Sequence, residues 1–440
     1  MEPQTRAELF VDASRERIAK FAAGLSQEER DEWEYDFGNF AHSGQSAPKS
    51  DWRIWLLMGG RGFGKTRAGA EWVRSIAEGD RFARIALIAS SLGEARSVMV
   101  EGESGLIACA PPDQRPKFEP SLHRLRWPNG AQAFLYSSAE PESLRGPQHS
   151  HAWCDELGKW PQAHARATRC WDNMSLGLRL GPEQKIVVTT TPRNTTLVRR
   201  VLDGGDTVVS GGATDANSAN LPPSFLIAME REFGNTLLAR QELGGELIEE
   251  IEGALWSRSL LEKCREDPGR TDFSRIIVAV DPPASSEGDA CGIIVAGLGT
   301  DGVARVLADC SAEKASPERW ARAVSDAAAV WCADRVIAEA NQGGAMVASV
   351  LRAANVSLPL KLVHASRGKI ARAEPVAALY EANRVRHAGM FAELEDQLCG
   401  LMAGGDYQGP GRSPDRADAL VWALTELMLG RQARPRISAI

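Results

Sequence analysis

Residues 54–79 read IWLLMGGRGFGKTRAGAEWVRSIAEG, and this stretch decides the architecture. An apolar run from Ile54 to Met58 enters a glycine-rich loop, and an amphipathic segment follows, which is the order strand, tight loop, helix. Within it, Gly59-Gly60-Arg61-Gly62-Phe63-Gly64-Lys65-Thr66 fits GxxxxGK[ST] in the setting that motif requires. Glycines let the backbone curl so that successive N–H groups face phosphate oxygens, and the helix N-terminus adds partial positive charge. Lys65 would reach the β and γ phosphates, and the Thr66 hydroxyl would ligate Mg²⁺.

The strands that follow are RIALIAS (84–90), HAWCD (151–155) and KIVVTTT (185–191), the last two ending in polar residues where a parallel sheet presents its functional edge. A phosphate loop needs a carboxylate for the metal and a group that orients or deprotonates water. Asp155 and Glu156 supply both, because adjacent side chains at a strand end diverge. Thr189, Thr190 and Thr191 close the next strand, either as γ-phosphate sensors or simply as good strand formers ahead of Pro192. Arg61 in the loop and Arg145 in SLRG offer charge for a transition state, against the plain alternative that surface arginines are solvated.

A segment from 214 to 270 changes character, with a helix expected from about Ser224 to Arg240 and then the acidic stretch GELIEEIEG. A second alternation follows: RIIVAV (275–280), CGIIVAG (291–297), VARVLAD (303–309), a helix from Pro317 to Cys332, RVIAE (335–339), another helix, LKLVHA (360–365) and a final helix. The first three strands, closely spaced, predict an antiparallel meander; the later ones, separated by helices, predict parallel strands. That is the layout of a ribonuclease H-like fold. Asp281 ends the first strand, Glu339 ends the fourth, and Asp415 and Asp418 open the helix DRADALVWALTELML, with Asp289 a further candidate. Phosphodiester hydrolysis by two divalent ions calls for hard carboxylate oxygens on rigid elements that hold the ions about 3.5 to 4 Å apart. Taken singly, each acid also reads as a turn residue, a solvated strand end or a helix cap.

At 440 residues the chain exceeds what one core usually organises, which predicts two domains. Its longest apolar runs fall short of the ~18 residues a membrane span needs, and the charged N-terminus has no secretory pattern, so a cytoplasmic protein is expected. Eight scattered cysteines without a CxxC pair predict reduced, mostly buried thiols. Fifty-one basic against 58 acidic residues give a net charge of −7, which confines any nucleic-acid contact to local basic strips. Lys361, Arg367, Lys369, Arg372, Arg384 and Arg386 form one candidate strip, or else a solvated face.

The set WLLMGGRGFGKTRAGAEWV, SLRGPQHSHAWCDELGKW, VVTTTPR, GELIEEIEGALW, VAVDPPASSEGDACGI, VIAEANQGGAMV, KIARAEPVAALYEANRVRH and SPDRADALVWAL, in this order, resembles the large terminase subunit of tailed bacteriophages. It is most similar to relatives in gene transfer agents. The resemblance runs over nearly the whole chain and implies an α/β protein of two domains. A P-loop NTPase of the ASCE type would be followed by a ribonuclease H-like nuclease, with a helical preface over 1–50, an ATPase core over 51–213, a lid and linker over 214–270 and the nuclease over 271–440. It implies ATP-driven movement of double-stranded DNA into a procapsid and metal-dependent cutting of concatemers.

Residue by residue, the resemblance implies Lys65 and Thr66 at phosphate and Mg²⁺, Asp155 on Mg²⁺, Glu156 as catalytic carboxylate, and Thr189 to Thr191 as the coupling motif. Arg145 matches a finger acting on the neighbouring subunit, and Asp281, Glu339 and Asp415, with Asp418 as helper, match ligands of Mg²⁺ or Mn²⁺, two ions in all. The glutamine that such proteins place near adenine has only Gln45 as a weak counterpart. Implied partners are a portal protein, a small terminase subunit and other copies of this chain in a ring, in a bacterial cytoplasm and away from membranes. The competing readings are a helicase-like or repair ATPase with a nuclease domain, and a nucleotide-switched docking protein without catalysis.

Overall fold

The structure, a computed structural model, describes residues 23–234, 236–248, 251–266, 269, 271–283, 290–340, 344–365 and 368–429. The chain divides between residues 249 and 250 into two compact units.

The first unit is built on an eight-stranded sheet: β1 (Ile54–Gly59), β2 (Arg84–Ala89), β3 (Lys117–Glu119), β4 (Arg124–Arg126), β5 (Gln132–Ser137), β6 (His151–Cys154), β7 (Lys185–Thr190) and β8 (Thr207–Gly212). The spatial order is β3-β4-β5-β2-β6-β7-β1-β8, parallel from β5 through β8, with β3 and β4 added antiparallel at one edge. The central strands are apolar on both faces because both are covered. Trp55, Leu57, Ile85 and Leu87 pack with Val73 and Ala77 of the helix Lys65–Gly79 on one side. Leu56, Ala86 and Ile88 pack with Cys170, Trp171 and Met174 of the helix Arg166–Gly177 on the other. The helix expected from Ser224 to Arg240 is two helices, Pro223–Phe233 and Leu237–Glu242. Gly234 ends the first at φ 46°, and Thr236 caps the second by accepting the Ala239 N–H, so local chemistry breaks what apolar periodicity alone would join.

The second unit has a six-stranded sheet: β9 (Phe273–Asp281), β10 (Gly292–Gly299), β11 (Ala304–Asp309), β12 (Arg335–Glu339), β13 (Leu360–Val363) and β14 (Val385–His387). Its order is β13-β12-β9-β10-β11-β14. β9, β10 and β11 form the antiparallel meander, and β12, β13 and β14 join parallel to β9, β12 and β11. Val278 and Val280 face Trp320 and Val324 of the helix Pro317–Val330, while Ile277 and Ala279 face Trp422 and Ala423 of the helix Asp415–Leu424. This is the ribonuclease H-like arrangement, and it sets the ends of β9 and β12 beside the start of that last helix.

Candidate functional site

In the first unit the phosphate loop joins β1 to the helix Lys65–Gly79, with Gly62 and Gly64 at φ 78° and 86°, backbone that a side chain would strain. A Cβ on Gly64 would also collide with the Gln45 amide, which donates to the Gly64 carbonyl at 3.3 Å. Lys65 is buried and its Nζ donates to the carbonyls of Gly59 and Gly60 at 2.8 Å each. Burial lowers its pKa, and the carboxylates of Glu156 and Asp155 oppose that shift.

The loop is clasped by the segment that sequence assigns to lid and linker. Thr214 Oγ1 donates to the Arg61 carbonyl at 2.7 Å, Asn217 Nδ2 donates to the Gly62 carbonyl at 2.6 Å, and the Arg61 N–H donates to the Glu242 carbonyl at 2.6 Å. Arg61 Nε also pairs with the Glu242 carboxylate at 2.6 Å. These side-chain caps of loop carbonyls leave no periodic signal, which is why Thr214 and Asn217 are missed from sequence.

Asp155 and Glu156 follow β6, and each takes a hydroxyl from the end of β7. Thr189 Oγ1 donates to Asp155 Oδ1 at 2.6 Å and accepts from Trp153 Nε1 at 3.0 Å. Thr191 Oγ1 donates to Glu156 Oε2 at 3.1 Å. Thr190 faces elsewhere: its Oγ1 accepts the Gly158 N–H at 3.0 Å and donates to the Thr191 carbonyl. Burial and the neighbouring Glu156 charge raise the Asp155 pKa to about 7, which marks a carboxylate short of positive charge. Glu156 sits at φ 46°, ψ 54°, a left-handed conformation that a non-glycine residue rarely adopts. Lys65, Thr66, Glu156 and Thr191 line one cavity of about 720 Å³, together with Gln45 and the aromatic Phe37. Its volume suits a nucleotide. A hydroxyl, a buried under-neutralised carboxylate and a lysine at a glycine loop form a donor set that fits Mg²⁺ and a triphosphate. Arg145 is 72% exposed at the side chain and pairs with Glu142 at 3.1 Å, so it stands on the surface of this unit.

In the second unit Asp281, Glu339, Asp415 and Asp418 come together. Burial, then the charges of Asp418, Glu339 and Asp415 in that order, push the Asp281 pKa far up. Asp418 thus lies close enough to Asp281 to act on its charge, as Glu339 and Asp415 do. Gly292 pairs with Asp281 across β9 and β10, and a Cβ there would run into the Asp415 carbonyl, so glycine lets the last helix approach the sheet. That helix start is fixed by Gln397, whose Oε1 accepts the N–H groups of Arg416 and Ala417 at 2.8 and 3.2 Å. Asp289 lies outside the described residues.

Two cations stand among these acids. Lys369 Nζ pairs with Asp418 Oδ2 at 2.5 Å, and Arg372 Nη1 lies 3.7 Å from Glu339 Oε2. Burial opposes the Lys369 charge, but Asp418, Asp281 and Asp415 together hold its pKa above the usual value. Among the described residues no three histidine, cysteine or acidic side chains close on one point tightly enough to grip a metal as they stand. Two cations among four acids leave the cluster net negative, and its all-oxygen donor set suits Mg²⁺ or Mn²⁺. The basic residues singled out in sequence do not share one strip: Lys361 pairs with Glu426 and Arg386 with Glu266, whereas Lys369 and Arg372 turn into the acid cluster. Arg367 lies outside the described residues.

Sequence reading missed Trp422, whose Nε1 donates to Glu339 Oε2 at 2.6 Å. Its signal was present: Asp415, Asp418 and Trp422 are spaced i, i+3, i+7 and share a helix face.

A phosphate-loop nucleotide site in one unit and an acid-lined ribonuclease H-like site in the other define a two-domain ATPase–nuclease. Family comparison gives the same division. The family described as "Terminase large subunit, T4likevirus-type, N-terminal" matches residues 56–263, and "Terminase RNaseH-like domain" matches residues 278–427. The chain belongs to the large terminase family, the ATPases and nucleases that package and cut DNA. A comparison with curated proteins gives no match. Among solved structures, the large terminase of bacteriophage HK97 is 14% identical, with a TM-score of 0.36 over 91% of this chain and 95% of that one. The large terminase ATPase domain of Thermus phage P74-26 is 16% identical, with a TM-score of 0.39 over 51% of this chain and 98% of that one. The nuclease domain of the large terminase subunit of bacterial virus Sf6 is 14% identical, with a TM-score of 0.31 over 39% and 98%. Among the described residues no helix is long and apolar enough to cross a membrane.

Proposed function

We propose that the first unit hydrolyses ATP to drive double-stranded DNA through a portal protein into a procapsid, and that the second cuts the concatemer. The observation that supports this best is the pairing at the end of β7, where neighbouring hydroxyls hold Asp155 and Glu156 separately. In this reading Lys65 binds the β and γ phosphates in exchange for the Gly59 and Gly60 carbonyls. Thr66 and Asp155 would hold Mg²⁺, which would offset phosphate charge. Glu156 accepts the proton of the attacking water. Thr191, bonded to Glu156, senses loss of the γ-phosphate and passes it into β7, and Thr189 keeps Asp155 aimed at the metal. Arg145, exposed on its own unit, reaches the site of the next subunit in a ring, so hydrolysis depends on assembly.

In the second unit Asp281, Glu339, Asp415 and Asp418 would hold two Mg²⁺ or Mn²⁺ ions, which would supply water activation and charge for the leaving group in phosphodiester hydrolysis. A small terminase subunit recognises the DNA, the setting is a bacterial cytoplasm, and the motif set fits a gene transfer agent type. The test separates the two activities. Lys65→Ala is expected to abolish ATP hydrolysis and leave Mn²⁺-dependent plasmid cutting intact, and Asp281→Asn to do the reverse. Cutting that survives in a clean Asp281→Asn preparation overturns the nuclease half; hydrolysis that survives Lys65→Ala overturns the ATPase half.

A further inference from the structure

Trp422 follows Asp415 by seven residues and Asp418 by four, on the same face of the helix Asp415–Leu424. It is buried, and its Nε1 donates to Glu339 Oε2 at 2.6 Å, so it joins that helix to the end of β12. The guanidinium of Arg372 lies 4.5 Å from the indole ring centroid and 3.7 Å from the same glutamate oxygen. Arg372 Nε and Nη1 are buried without a hydrogen-bond partner. What holds that cation is therefore the ring face and the carboxylate charge, not directed hydrogen bonds.

An indole N–H only donates and cannot ligate a cation. A glutamate, by contrast, has several torsions and on a strand end would sample many orientations. A short N–H···O⁻ bond from a packed ring removes that freedom. Carboxylates that bind metals are commonly oriented by such outer donors, and losing one weakens metal binding.

We infer that Trp422 is a positioning residue of the nuclease site: its indole N–H fixes the Glu339 carboxylate for a divalent cation, with Arg372 packed on the ring to hold the indole in place. This rests on the assignment of Glu339 as a metal ligand, and the experiment separates the two. Mn²⁺ is titrated into the nucleotide-free, full-length protein and free Mn²⁺ is read by electron paramagnetic resonance, for wild type, Trp422→Phe and Glu339→Gln, with thermal melts of each. Trp422→Phe keeps a ring for Arg372 and the core but has no donor. It is expected to melt as wild type does and to bind Mn²⁺ roughly 10- to 100-fold more weakly. In plasmid cutting, the half-saturating Mn²⁺ concentration should rise by the same factor while the rate at saturating Mn²⁺ stays close to wild type. A residue that merely filled space would lower the plateau and leave the metal dependence alone. Wild-type Mn²⁺ affinity in Trp422→Phe, with binding lost in Glu339→Gln, overturns the role of Trp422 and leaves the metal site standing; wild-type affinity in Glu339→Gln overturns both. Trp422→Met, which also lacks a donor, is read in the same way if the phenylalanine variant does not fold.

Discussion

Replacing Thr189 by valine tests whether the end of β7 organises the ATPase site. The substitution keeps the branched shape and removes one oxygen. That oxygen donates to Asp155 Oδ1 at 2.6 Å and accepts from Trp153 Nε1 at 3.0 Å, with all three groups buried. Losing a hydrogen bond to a carboxylate costs about 1.5–3 kcal/mol, and the orphaned indole N–H costs about 1–3 kcal/mol. The added methyl returns up to about 0.8 kcal/mol, so a net loss of about 3 kcal/mol is expected for the first unit. Asp155 also loses the contact that aims it, so the Mg²⁺ concentration that half-saturates ATP hydrolysis should rise about 10-fold or more. Thr189→Ser keeps the hydroxyl and should cost about 1 kcal/mol with near wild-type Mg²⁺ dependence. Urea unfolding followed at the first unit, together with hydrolysis rates across a Mg²⁺ series, reads both quantities. A valine variant within about 0.5 kcal/mol of wild type, with unchanged Mg²⁺ dependence, would refute the reasoning.

Glu156→Gln keeps an acceptor for the Thr191 hydroxyl but cannot take a proton, so ATP should bind with wild-type affinity while hydrolysis falls about 100-fold or more, as measured by nucleotide binding and phosphate release. Arg145→Ala should leave the slow hydrolysis of dilute protein unchanged and remove the stimulation seen as subunits assemble on a portal; equal stimulation in wild type and variant would count against a finger acting between subunits. Glu395 is fully buried; burial pushes its pKa up, but the His387 hydrogen bond and charge and the Arg265 guanidinium outweigh burial and bring it down to about 2. Because the folded value lies below the unfolded value of 4.5, about 3 kcal/mol of stability is present above pH 4.5 and is lost as pH falls toward 2. Denaturant unfolding of the second unit in Glu395→Gln should show a shallower acid dependence than wild type over that window, and identical slopes would exclude the effect.

What sequence made legible was local or periodic. The phosphate loop, Asp155 with Glu156, and the threonines of β7 each sit in one short stretch with their strand, so strand ends and polar residues could be read together. The acids of the second unit were legible for a different reason: the strand and helix order placed Asp281, Glu339 and Asp415 at element ends that a ribonuclease H-like sheet brings together. β3 and β4 were not legible, because KFE and RLR are three residues each and two-thirds charged, too short to show alternation. Trp422 sits inside an apolar run and reads as core, which it also is; only the carboxylate across the sheet gives its N–H a purpose. The basic strip failed for the opposite reason, since sequence sees charges and not the acids waiting for them.

The clasp on the phosphate loop also bears on how the protein is made. Gly60, Arg61 and Gly62 depend on contacts from Gly212, Thr214, Asn217 and Glu242, some 150 to 180 positions further along the chain. Such distant closures form late, after most loop entropy has been lost. A ribosome that has exposed the glycine loop and even Thr191 has therefore not yet produced a nucleotide trap, because the carbonyls that shape the loop still lack their donors. Nascent chains released before about residue 245 should not retain ATP, and competence should arrive in one step when the helix Leu237–Glu242 emerges.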